Sequence, residues 1–274
     1  MAKVPKWDNA KLSLDAYDLS GQRALVVGAA SGAGRAIALA LAEAGADLAL
    51  CSETTLAEEA LAVRKTARDV REMGRNAIEQ STDVSSGQGA QVMVRQVSKE
   101  MGGLDIVVNA PNLFLGKAAT KTSDAEWSKV LGQNLGATFF VCRAAGKEML
   151  KNEPTNRSRG RIINVASVLG ERGLRNAAAY CAAQGGILNL TRALAQEWAA
   201  DGITVNAIAQ GWMEDSLALG DVSPEANQTV RYIPMKRAGN SDEVAPLAVY
   251  LASDASGYVT GQVLFVDGGL TVHL

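Results

Sequence analysis

The sequence predicts an α/β domain built on a doubly wound parallel sheet, and three observations predict it. Short apolar runs alternate with helical stretches along the whole chain. The runs are continuously apolar rather than alternating, as in strands covered on both faces. The first run feeds a glycine-rich turn and then an alanine-rich helix, Arg23 to Arg35, RALVVGAASGAGR. At 274 residues, 47% of them apolar, a single domain with a full core accounts for the chain.

Residues 1–18 are polar, carry Pro5 and read as an N-terminal extension to a domain over 19–274. Leu25–Val27 is the first strand. The helix after the glycine turn ends at Gly45, a suitable C-terminal cap. Asp47–Cys51 is the second strand, followed by a charged amphipathic helix over Leu56–Met73. A third strand over Asn76–Ser81 leads into Asp83-Val84, and Gln88–Met101 is helical. Asp105–Val108 is the fourth strand. Ser123-Asp-Ala-Glu126 is a capping box, and the helix it opens runs to Lys151 with a break near Gly132. Asn152–Gly160 is a polar connection, Arg161–Val165 the fifth strand and Asn176–Ala200 a long alanine-rich helix. Ile203–Ile208 is the sixth strand. Gly211–Asn240 is irregular, with a short helix near Pro224–Tyr232. Ser241–Leu251 is helical and Gln262–Val266 is the last strand.

Composition excludes several function classes. A net charge of −2 gives no reason to expect nucleic acid or an anionic membrane as partner. MAKVPKWDNAKLS has charges where a secretory signal has an apolar core, and the longest apolar stretch, Ala36–Cys51, is broken by Glu43 and Asp47. Cys51, Cys142 and Cys181 are scattered and odd in number. They suggest a reducing, cytoplasmic compartment and no metal site. The one histidine, His273, lies at the far end of the chain, which excludes a Ser-His-Asp triad unless the tail folds back.

The glycine turn is the strongest chemical signal. Gly28, Gly32 and Gly34, with Ser31 and Ala33 between them, join a strand to a helix N-terminus. Free backbone N–H groups and the positive end of the helix dipole at such a turn suit a pyrophosphate. Ligands of parallel sheets sit beyond the carboxyl ends of the strands, here the segments after Val27, Cys51, Ser81, Val108, Val165, Ile208 and Val266.

Gly28-x-x-x-Gly32-x-Gly34, Asp83-Val84, Asn134, Ser167, Tyr180 thirteen residues after it, and the VTGQVLFVDGG tail together carry a resemblance. From Leu19 to Gly269 the chain resembles a short-chain dehydrogenase/reductase. The resemblance implies a Rossmann-like sheet of seven strands, a bound NAD or NADP, usually a homotetramer, and interconversion of an alcohol and a carbonyl. It implies Tyr180 as proton donor and acceptor, Ser167 polarising the carbonyl, and Asn134 helping to hold a relay water. The family's lysine, one helical turn after the tyrosine, lowers a phenol pKa that is otherwise about 10 and holds the nicotinamide ribose. Here that position is Gln184, which has no charge but can bond a ribose hydroxyl.

The implied cofactor contacts are Gly28, Ser31, Gly32, Ala33, Gly34, Ser52, Glu53, Asp83, Val84, Asn109, Gly211 and Met213. Ser52 occupies the usual acid position and Asp83 would meet the adenine. Glu53 would repel a 2′-phosphate, and no cation stands at Ser31 or in Cys51–Thr54, which favours NAD without excluding NADP. Other departures from the family pattern are Val27 for threonine, Asn109-Ala110-Pro111-Asn112 for Asn-Asn-Ala-Gly, Gln210-Gly211 for Pro-Gly and Asp215 for threonine. The pocket is expected between Asn112–Thr120, Val168–Ala179 and Met213–Tyr232, with a lid over residues 212–240. Leu113, Phe114, Leu115, Trp212 and Met213 suggest an apolar pocket, with packing in the core or at an interface as the equal alternative. In the family the helices of Asn134 and Tyr180 often pair across subunits, which implies a homotetramer or dimer. Two other readings stay open: a non-catalytic member, such as the partner subunit of an active homologue, and a lyase or isomerase using the Ser167/Tyr180 pocket.

Overall fold

Each apolar run is too short for a helix and too apolar for a sheet with one wet face. In the computed structural model, which describes residues 14–154, 158–214 and 230–272, the runs become seven parallel strands. They are β1 (Arg23–Val27), β2 (Asp47–Cys51), β3 (Ala77–Gln80), β4 (Ile106–Asn109), β5 (Gly160–Ser167), β6 (Ile203–Gln210) and β7 (Val263–Val266). Their order across the sheet is β3-β2-β1-β4-β5-β6-β7. The order reverses between β1 and β4, and the crevice at that reversal is where such sheets take ligands.

Successive side chains of a strand face opposite ways, so the two cores separate by residue parity. Val26, Leu48, Leu50, Ile106, Val108 and Ile163 join the core under α1 (Gly32–Glu43), α2 (Ala57–Glu72) and the last helix, Ala245–Ala252. Leu25, Val27, Ala49, Val107 and Ile162 join the core under α3 (Gly87–Met101) and α5 (Ala137–Met149). The remaining helices are α4 (Asp124–Leu131), α6 (Ala178–Trp198) and, in chain order, α7 for Ala245–Ala252.

Two differences from the sequence reading have physical causes. Strands β5 and β6 run two residues further than their apolar runs, to Ser167 and Gln210, because these ends pair with each other in register. The break near Gly132 is a π-helical turn, Gly132–Gly136, between α4 and α5. It leaves the helix continuous and turns Asn134 inward. The capping box at Ser123 and Glu126 forms as expected.

Residues 1–13 of the expected extension, Asp215, 224–229 of the expected short helix, and His273 lie outside the described residues. Val230–Tyr232 is a single 3-10 turn. Leu14–Tyr17 is another, with Tyr17 tilted against Tyr250 at 6.3 Å between ring centroids. Leu19 is buried and its N–H donates to the Ala44 carbonyl.

The helix and strand meet backbone to backbone at the glycine turn. A Cβ on Gly34 would collide with the Gly28 carbonyl oxygen, so α1 lies against β1 only because that atom is missing. Gly34→Ala is expected to cost about 1–3 kcal/mol by overpacking, read as a lowered midpoint in urea denaturation.

Candidate active site

Gly28 has φ +82, and a Cβ there would lie 2.5 Å from the Ala110 carbonyl oxygen. Only glycine fits both the conformation and the gap. The turn is pinned by Gly28 N–H to the Cys51 carbonyl (3.0 Å), Ala110 N–H to the Val27 carbonyl (3.0 Å) and the Thr66 hydroxyl to the Ala29 carbonyl (3.0 Å). Ser31 begins α1 without a side-chain cap and is exposed, while Ala33 and Gly34 are buried beneath it. The first N–H groups of α1 are therefore not capped by the Ser31 side chain, as an anion site requires.

The residues after β2 divide differently from the expectation. Ser52 is fully buried, and its hydroxyl donates to the Thr54 carbonyl at 2.6 Å and lies within hydrogen-bond distance of the Ser81 hydroxyl, at 3.3 Å. It belongs to the loop rather than to a ligand surface. Glu53 turns into the crevice instead: its Oε2 accepts the Asn112 N–H at 3.1 Å, and its Oε1 lies beside Gly28. Burial pushes its carboxyl up to about 7; the Asn112 N–H opposes this and the Glu59 charge adds to it. The Asp83 carboxylate is exposed and accepts from the Ser85 N–H (3.0 Å) and hydroxyl (2.6 Å), and Val84 is buried.

Tyr180 and Ser167 come together at the carboxyl end of β5. Tyr180 is 6% exposed, and its ring stands edge-on to Phe114 at 5.1 Å. Its hydroxyl donates to Asn112 Oδ1 at 2.7 Å. Burial raises the phenol pKa well above the ordinary range; the Ser167 hydroxyl works the other way, and Cys181 and Glu53 raise it further. Ser167 Oγ also accepts the Leu169 N–H at 3.2 Å.

Five of the expected site residues make contacts within the framework. Gln184 is 1% exposed, and its Oε1 accepts the Ser167 N–H at 3.0 Å, so its carboxamide oxygen holds the strand end beneath Tyr180. Asn134 donates to the Leu113 (2.9 Å) and Val130 (2.8 Å) carbonyls and accepts the Leu113 N–H at 3.1 Å. It clamps the loop after β4. Asn109 points into the core, donating to Asn164 Oδ1 (2.9 Å) and Cys142 Sγ (3.2 Å), while Asn164 donates on to the Thr191 hydroxyl (3.0 Å). Gly211 N–H donates to the Val266 carbonyl, and Met213 is buried and bridges to Gly239; both tie the end of β6 to its neighbours.

Asn112 is the residue that sequence reasoning undervalued. Its signal was present in the departure of Asn109-Ala110-Pro111-Asn112 from the family pattern, which puts an amide where that pattern has glycine. Arg172, one of two cations in the loop before α6, donates to the Thr271 carbonyl. Among the described residues, no cation is among the groups acting on Tyr180.

The residues at the crevice fit a dinucleotide in backbone shape: a cradle that a Cβ would fill, an uncapped helix start, and a carboxylate beside it. Comparison with known proteins agrees with this arrangement. A family model described as enoyl-(acyl carrier protein) reductase matches residues 28–271. The chain is similar to the 2-dehydro-3-deoxy-D-gluconate 5-dehydrogenase of Pseudoalteromonas atlantica, 38% identical over 258 residues, covering 93% of this chain and 98% of that protein. It is 39% identical over 253 residues to the acetoacetyl-CoA reductase of Allochromatium vinosum, covering 91% and 98%. It superposes with TM-score 0.86 and 31% identity on a gluconate 5-dehydrogenase from Burkholderia cenocepacia J2315 in complex with NADP and tartrate, covering 95% of this chain and 99% of that one. Likeness of this extent, in sequence and in chain course, shows that the protein belongs to the short-chain dehydrogenase/reductase family.

Proposed function

We propose that the protein is an NAD(P)-dependent oxidoreductase that interconverts a hydroxyl and a carbonyl, with NAD preferred. The observation that carries this reading is the placing of Tyr180 and Ser167 at the carboxyl end of β5, beside the switch point and its glycine cradle. A nicotinamide bound there would supply or take the hydride. Tyr180 exchanges the proton at the substrate oxygen, and Ser167 hydrogen-bonds the same oxygen. The backbone of Ser31–Gly34 would hold the diphosphate and Glu53 would accept from the adenosine ribose, with Ser52 holding its loop. A carboxylate in that position accepts ribose hydroxyls and repels a 2′-phosphate.

Val168, Leu169, Trp212 and Ile233 are buried around Tyr180, with Leu113, Phe114 and Leu115 packed against them. This supports a ketone or secondary alcohol with an apolar flank, in keeping with the acyl-thioester relative. Assembly as a homodimer or homotetramer belongs to the same reading. Edge strand β7 leaves all four residues, Val263–Val266, partly exposed for a second copy. The free cysteines suit a reducing, cytoplasmic setting.

A panel of alcohols and ketones, followed by nicotinamide absorbance, tests the activity. Tyr180→Phe is expected to lower kcat by about 10²–10⁴-fold with dinucleotide binding unchanged. If no substrate turns over while NAD binds, the protein is the non-catalytic member that its missing lysine would allow.

Glu53 makes the cofactor choice pH-dependent. It is ionised above about 7, so the preference for NAD over NADP is expected to grow as pH rises through about 7. Glu53→Gln should flatten that trend, as measured by titration calorimetry with each dinucleotide. The same carboxyl has a stability signature. Its pKa is raised in the fold, so its favourable contribution is complete below its unfolded value of 4.5 and is lost as pH rises through about 7. In denaturation of the free protein, Glu53→Gln is expected to stabilise by up to about 3 kcal/mol at pH ~8 and by nothing at pH ~4.

A further inference from the structure

The loop after β4 is held at three successive residues. Pro111 fixes its own φ and is buried. Asn112 donates its N–H to Glu53 Oε2 at 3.1 Å. Leu113 has both its N–H and its carbonyl bound by the Asn134 carboxamide, at 3.1 and 2.9 Å. With the backbone fixed on both sides, the Asn112 side chain reaches one target, the Tyr180 hydroxyl at 2.7 Å. An amide oxygen can only accept, so this bond exists while the phenol carries its proton.

The other groups facing Tyr180 do not offset that preference. From the loop after β2 comes the Glu53 carboxylate, from α6 the Cys181 thiol, and from β5 the Ser167 hydroxyl. Phe114 presents an uncharged ring. The first two disfavour a phenolate, and a single neutral hydroxyl favours it. The position one helical turn beyond the tyrosine, Gln184, is occupied with the Ser167 N–H.

We propose that Asn112 is a positioning residue for Tyr180, its amide oxygen holding the phenol hydroxyl in the neutral, protonated state until substrate displaces it. The proposal deepens the oxidoreductase reading and rests on it for its catalytic meaning. In alcohol oxidation the substrate O–H bond breaks and its proton goes to Tyr180 Oη. The C–H bond breaks with its electron pair passing to the oxidised nicotinamide, and the C=O bond forms. That step needs the phenolate, so every group favouring the neutral phenol moves the oxidation limb to higher pH. Asn112→Gly, which restores the residue of the family pattern, should ease the ionisation of Tyr180. Asn112→Asp, an acceptor with a charge, should oppose it.

Incorporation of 3-fluorotyrosine, with ¹⁹F NMR and assignment by Tyr180→Phe, reads the ionisation directly and needs no turnover. Asn112→Gly is expected to lower the Tyr180 midpoint by about one pH unit, tenfold in ionised fraction, and Asn112→Asp to raise it. The alkaline rise of alcohol oxidation should shift by the same amount in Asn112→Gly. A midpoint that stays in place, or that rises, in Asn112→Gly overturns the proposal. Moving midpoints in a protein that oxidises no alcohol leave the Asn112–Tyr180 coupling standing and remove the oxidoreductase reading instead.

Discussion

The structure depends on close backbone approach at the point where the strand order reverses. Gly34 of α1 lies against the Gly28 carbonyl, and Gly28 lies against the Ala110 carbonyl after β4. The strand-turn-helix segment of β1 and α1 thus meets the distant loop after β4 with only the small Ala110 methyl beside the contact. The approach draws the start of α1 down onto the sheet, where the Ser31 side chain leaves the first N–H groups uncapped. A side chain at either position would separate helix from strand and strand from loop. Since interiors are close-packed, the displacement would spread to the neighbouring layers.

The loop after β4 inherits its position from that contact and passes it on to the chemistry. Ala110 N–H pairs with the Val27 carbonyl, Pro111 stiffens the next step, and Asn134 clamps Leu113 from the π-helical turn. The π turn allows an otherwise continuous helix to direct a carboxamide inward, a known use of such turns. The result is a bridge from Glu53 through Asn112 to Tyr180 across the carboxyl ends of β2, β1, β4 and β5. The bridge is uncharged at the phenol and acidic at its other end, where a cation would have favoured ionisation.

Beneath the site, polar side chains serve as framework. Asn109, Asn164, Thr191 and Cys142 bond one another between β4, β5, α6 and α5. Gln184 fastens the end of β5 under Tyr180. Buried polar groups left without partners are costly, so these bonds make the register of β4, β5 and α6 hard to change. Cys142 and Cys51 are buried and their thiols are pushed up to about 12, which keeps them inert within the core.

The sequence by itself determined the type and order of the elements, the glycine turn, the capping box, the spacing from Ser167 to Tyr180 and the missing lysine. These are local: an apolar run, a turn residue or a helical offset acts over a few neighbours. The strand ends at Ser167 and Gln210 are not legible in the sequence, because polar residues stop an apolar run whereas ladder pairing does not stop there. Only the tertiary structure decided which polar side chains face the crevice. Ser52 and Glu53 are adjacent, yet the first is sealed in its loop and the second crosses to Asn112. Asn109 and Asn112 share one short segment, yet one enters the core and the other meets Tyr180. Glu53 and Asn112 are 59 residues apart, and Asn112 and Tyr180 are 68 apart. Contacts at that separation are set by where the sheet places its strand ends, which no local pattern of residue types encodes.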